Sequence, residues 1–189
     1  MSVEKQTVNV LILELATMVV AISLAFTSTI ITTLDLRTVV SFIFTNTLVI
    51  WFWWSYVVDR LSFPPKTTRF PIPDIMVLIL ISLIPFALRQ ERIYYLSVDI
   101  GALVIIWAFM IHLIIGENPE VDEKIKNELR TEVNQRILVG LLFVLAAVLS
   151  LISEIFGLEL FVVLAIVIIV WNLFTRRGRK ELSPDAGER

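Results

Sequence analysis

Residues Val8 to Ile31 read VNVLILELATMVVAISLAFTSTII, with Glu14 as the single charge. A bilayer's hydrocarbon core is about 30 Å thick, and roughly 20 predominantly apolar residues cross it as a helix. This stretch is long enough. Five further apolar runs follow, at about Val39 to Leu61, Asp74 to Leu88, Ile93 to Ile115, Arg136 to Phe156 and Leu158 to Thr175. The sequence therefore predicts an all-α integral membrane protein with six transmembrane helices in one domain, residues 1–180. A polar tail at 181–189, with Pro184 and Gly187, reads as disordered. The third run is the shortest and holds Pro85 near its end. It fits local thinning of the bilayer or burial against neighbours, with an interfacial segment as the alternative.

Positive charge gives the expected orientation. With six spans and a cytoplasmic N-terminus, the inner segments hold 13 of the 16 Lys and Arg, and the outer loops hold only Arg37, Arg89 and Arg92. The positive-inside rule then puts both termini in the cytoplasm. Trp51, Trp53, Trp54, Trp107 and Trp171 all fall toward the inner side on this reading, where indole rings prefer the headgroup level.

Composition narrows the chemistry. There are no cysteines, so disulfides, thiol nucleophiles and cysteine metal sites are excluded. A net charge of −2 argues against a nucleic-acid partner, while the clustered inner cations suit contact with anionic membrane lipid. No HExxH, GxSxG or glycine-rich phosphate loop is present, and one histidine cannot assemble a multi-histidine metal centre. Neither an enzyme nor a cofactor is expected.

Two connections have character of their own. Asp59 to Asp74 carries Pro64, Pro65, Pro71 and Pro73 and predicts a stiff turn. Between Glu117 and Gln135, Asn118 and Pro119 read as a helix start, and Val121, Ile125, Leu129 and Val133 recur every four residues. Glu120 with Lys124, Asp122 with Lys126 and Glu132 with Arg136 are spaced to pair across a helical turn. The fifth span is thus expected to begin as an amphipathic cytoplasmic helix.

Ionisable residues inside apolar spans are costly and therefore candidate sites. Four stand out: Glu14 in the first span, Asp99 and His112 in the fourth, and Glu154 near the outer end of the fifth. None falls at the bilayer centre. Each can instead reach an interface or pair with a nearby arginine, Glu14 with Arg60 or Asp99 with Arg92, and His112 reads as packed or interfacial.

The first span carries two stripes. Glu14, Thr17, Ala21, Ala25, Ser28 and Thr32 step by three or four residues, with Ser23 and Thr27 to one side. Such a small and polar stripe serves either close helix packing or a hydrated path lined by oxygen atoms. Leu15, Met18, Ile22 and Phe26 run beside it and could form a dewetting constriction if several copies met on an axis.

Met18 to Phe26, MVVAISLAF, resembles the first-helix core of the lysosomal and prokaryotic potassium-leak channel family. Ser82 to Phe86, SLIPF, resembles that family's third helix, and Trp54 to Phe63 sits where its second helix ends in an aromatic and basic run. The resemblance implies a homo-oligomer, a tetramer, with first helices around a monovalent-cation path, in a prokaryotic plasma membrane. It also implies a hydrophobic constriction at Ile22, with Phe26 one turn on and the hydroxyls of Thr17, Ser23 and Thr27 helping hydrated ions. The chain departs from the family where it places Leu15, Ala16 and Thr17 in place of Phe-Ser-Asp. A potassium-type leak channel is the leading expectation. An ion-coupled carrier using Asp99, Glu154 or Glu14, and a non-transporting membrane scaffold, are its rivals.

Overall fold

The computed structural model describes residues 3–29, 36–62, 72–89, 92–117 and 122–181. Six helices account for nearly all of them: α1 (Val3–Ser28), α2 (Leu36–Ser62), α3 (Ile72–Arg89), α4 (Ile93–Glu117), α5 (Glu123–Ile152) and α6 (Glu154–Glu181). Helix α4 is the centre of the bundle, packed against α3, α5 and α6, while α1 lies against α2 and α3. Trp107, Leu103 and Met110 of α4 are buried with Tyr56 of α2, Leu78 and Ile81 of α3 and Phe143 of α5.

Glycine sets the closest helix contact. A Cβ at Gly140 would lie 2.5 Å from Ile105 Cγ1 and 3.0 Å from the Gly101 carbonyl oxygen, so two glycines let the α4 and α5 backbones meet. Helix α5 starts on Asp122, whose carboxylate accepts from the Lys124 backbone N–H at 2.9 Å. Asn118 to Val121, where the sequence suggested the start, lie outside the described residues. Of the spaced pairs, Glu132 and Arg136 meet at 2.6 Å, whereas Lys126 Nζ pairs with Glu123 at 3.0 Å. The amphipathic beginning and the apolar run are one continuous helix.

That helix ends earlier than expected. Ser153 takes an extended backbone and donates its N–H to Leu149 O at 2.8 Å, so α5 stops at Ile152 and Glu154 opens α6. Pro85 is tolerated inside α3, which runs on to Arg89.

The outer surface is apolar. Leu11, Met18 and Ile22 of α1, Leu138, Leu141 and Val148 of α5, and Val163 and Ile166 of α6 are all exposed. In water such a surface would aggregate; in lipid it is the solvent-facing side. The protein is an integral membrane protein.

The six-span count needs correction. Among the described residues, four helices are long and apolar enough to cross a membrane, at Val10–Ser28, Ile72–Arg89, Ile93–Gly116 and Glu123–Ile152. Helices α2 and α6 are not among them. Thr45, Asn46 and Thr47 interrupt α2 ahead of its tryptophans and Asp59, and Glu154 and Glu159 stand in the first two turns of α6. The sequence reading counted these two runs as spans on length, with Asp59 and Arg60 inside the second and Glu159 inside the sixth. Counted over these four crossings, the 16 Lys and Arg divide evenly between the two sides. The charge bias that put both termini in the cytoplasm therefore lapses with the six-span count. The polar tail, 182–189, lies outside the described residues.

Candidate functional site

Helix α1 has one covered face and one open face. Ile12, Ala16, Val20, Ser23 and Thr27 point inward and are buried. Glu14, Leu15, Thr17, Met18, Ala21, Ile22, Ala25 and Ser28 are exposed. The small and polar stripe from Glu14 to Ser28 and the larger apolar stripe from Leu15 to Ile22 thus share one uncovered side, where Val10, Leu13, Glu14, Thr17, Met18 and Ala21 line a shallow groove; Thr32 lies outside the described residues. At a period of 3.6, residues three and four apart fall on one face, and the bundle has taken the other.

This divides the five residues assigned to a path. Thr17 and Ile22 face outward, Ile22 with 60% exposure, and the Thr17 hydroxyl donates back to Leu13 O at 2.9 Å. Ser23 and Thr27 face inward at 2% and 0%. The Thr27 hydroxyl lies 2.6 Å from Leu24 O and 3.0 Å from Asn46 Oδ1, tying α1 to α2. Phe26 is half-buried and stacks on Phe86 of α3, centroids 3.9 Å apart and rings inclined by 16°. Only Thr17 and Ile22 of the five share the open side.

A second constellation joins α2, α3, α4 and α5. Arg60 and Asp74 form a buried ion pair, and the Tyr56 hydroxyl donates to Asp74 Oδ1 at 2.7 Å. One residue before Arg60, Asp59 accepts from Trp107 Nε1 at 3.0 Å and lies 3.6 Å from Arg136 Nη2. Arg136 also donates to Glu132 Oε1 from Nη2 at 2.6 Å and from Nε at 3.1 Å, and its guanidinium sits 4.8 Å above the Trp107 ring. Charges this deep persist only when paired and hydrogen-bonded, and each here has such partners. The junction locks four helices together at one end of the bundle.

Beside it is a cavity of about 300 Å³, bounded by α2, α4, α5 and α6. Trp51, Phe52 and Trp107 form its aromatic wall, and Glu132, Gln135 and Arg136 its polar rim.

The candidate ionisable residues do not come together. Glu14 and His112 are exposed, and Glu154 is exposed in the first turn of α6 rather than near the end of the fifth span. Glu14 does not pair with Arg60, which is committed to Asp74. Asp99 is 7% exposed, and neither of its carboxylate oxygens has a hydrogen-bond partner, Arg92 included. Among the described residues, no three His, Asp or Glu side chains gather in a way that could hold a metal ion. The junction residues Tyr56, Asp59, Arg60, Asp74, Trp107 and Arg136 were not singled out as a site from sequence. The adjacent opposite charges of Asp59 and Arg60 beside an aromatic run were the available signal.

No family model, curated protein or solved structure matches the chain. What is established is an apolar, membrane-spanning helical bundle, an architecture consistent with transport or permeation. The likeness to the leak-channel family rests on the short pieces Met18 to Phe26, Ser82 to Phe86 and Trp54 to Phe63.

Proposed function

We propose that the protein is one subunit of a homo-oligomer, a tetramer on the resemblance, that lets monovalent cations leak through a path lined by the open face of α1. The observation that carries this reading is the uncovered side of a helix long enough to span the membrane, with Glu14 exposed on it. A carboxylate facing lipid is penalised, and one facing a hydrated axis shared by several copies is not. A ring of Glu14 side chains would concentrate cations, as acidic rings do in cation channels. Ile22, two turns further on, would form the narrow apolar ring, with Thr17 between the two. Thr27 and Phe26 instead seat α1 against α2 and α3, and Ser23 is buried on the covered face. The reading is non-enzymatic and needs no cofactor.

The test is cation flux from vesicles holding the purified protein, together with a subunit count. Wild type should leak potassium, Ile22→Ser should leak faster, and Glu14→Gln should leak more slowly. A monomer, or vesicles silent for wild type and Ile22→Ser alike, would reject the reading.

A carrier is the second reading, favoured by one observation. The Asp99 carboxylate is buried in a spanning helix with both oxygens unpartnered, which suits a transient proton or cation. Saturable, pH-dependent exchange that disappears in Asp99→Asn while flux is insensitive to Ile22→Ser would select it.

A further inference from the structure

We infer that the cavity between α2, α4, α5 and α6 is a binding site for an uncharged amphiphile, a molecule with a hydrogen-bonding but unionised head and an apolar body. Its volume of about 300 Å³ stands at the small end of ligand pockets, which run from roughly 300 to 1,000 Å³. An apolar void of that size left empty forfeits packing on every wall.

The walls fix the body of the ligand. Val104 and Leu164 are buried side chains that border the cavity, and Trp51, Phe52 and Trp107 close it from α2 and α4. Apart from Ser55 and the Trp51 indole N–H, this part of the lining is apolar. Aromatic and branched aliphatic surfaces accept either a single alkyl chain or a flat apolar frame.

The rim fixes the head. Arg136 is held by Glu132 through two donors, approached by Asp59, and covered on one face by the Trp107 ring. Glu132 is in turn committed to Arg136. The rim already sets two carboxylates, Glu132 and Asp59, against one guanidinium, so an anionic head would add like charge and a cationic head would compete with Arg136 for its partners. The Gln135 carboxamide borders the same rim, and among the described residues it makes no hydrogen bond. It presents one acceptor and two donors. A hydroxyl or amide head bonds to it without disturbing the ion pairs beside it.

Bromoalkyl chains quench tryptophan on contact, and Trp51 and Trp107 line the cavity. The full-length protein in nanodiscs of unbrominated lipid is titrated with ω-bromoundecanol, ω-bromoundecanoate and ω-bromoundecyl-trimethylammonium. The alcohol should give a saturable component of quenching that the two charged probes lack. Gln135→Leu should weaken that component about tenfold, the effect of one lost hydrogen bond. Val139→Phe, which fills the cavity, should abolish it. Should Val139→Phe fail to fold, the partly exposed Gln135→Leu site still decides. Equal quenching by all three probes, tighter binding of either charged probe, or saturation unchanged in Gln135→Leu would overturn the inference.

Discussion

Replacing Asp74 with leucine should destabilise the bundle far more than an average substitution. Arg60 and Asp74 have side-chain exposures of 4% and 2%, so the change strands a guanidinium with almost no access to water. Breaking a buried ion pair from one side costs about 3–5 kcal/mol. Two charge-assisted hydrogen bonds to Asp74, one from Arg60 and one from Tyr56, reach the same range at roughly 1.5–3 kcal/mol each. For a chain of this length each kcal/mol corresponds to about 2–4 °C, so the midpoint in detergent should fall by roughly 6–20 °C. Arg60→Leu alone should cost a similar amount. The double variant should recover all but the ~1–3 kcal/mol of an orphaned Tyr56 hydroxyl, because the pair is removed rather than split. Adding Tyr56→Phe should remove most of that remainder. Thermal melts of the four variants, followed by circular dichroism, measure the cycle. Single variants within about 1 kcal/mol of wild type, or a double variant equal to the sum of the singles, would refute the argument.

Gly140→Leu should prevent α4 and α5 from closing, since even a Cβ there meets Ile105 at 2.5 Å, and a loss above about 3 kcal/mol is expected in the same melts. Trp107→Phe keeps most of the packing but removes the N–H that donates to Asp59 Oδ2, which stays beside Arg136, and puts a weaker ring under the guanidinium. It should cost about 1.5–3 kcal/mol and leave Asp59→Asn less damaging in its background than in wild type. Asp122→Ala removes the cap on the Lys124 N–H and should lower stability by about 1 kcal/mol, with faster amide exchange confined to the first turn of α5.

The continuity of α5 shows how far pattern reading reached. The recurrence of Val121, Ile125, Leu129 and Val133 predicted an amphipathic helix ahead of the fifth apolar run; Leu129 and Val133 are buried, Ile125 is exposed, and Val121 lies outside the described residues. The same reading carried the helix through Ser153 to Phe156, because an extended residue between two apolar runs leaves no mark in hydropathy. It also counted α2 and α6 as spans from their length, although Asn46 with its flanking threonines interrupts α2 and Glu154 and Glu159 stand in the first two turns of α6.

The sequence by itself determined the solvent and the secondary structure. Apolar runs of spanning length leave the backbone no partners in lipid except its own, and that condition selects helices. Which side of α1 stays uncovered, and whether Arg60 meets Asp74 or Glu14, only the tertiary structure decided. Helices apolar on nearly every side carry little amphipathic signal to say which face turns inward. Ion pairs between helices depend on how distant segments register against each other, which no local spacing encodes.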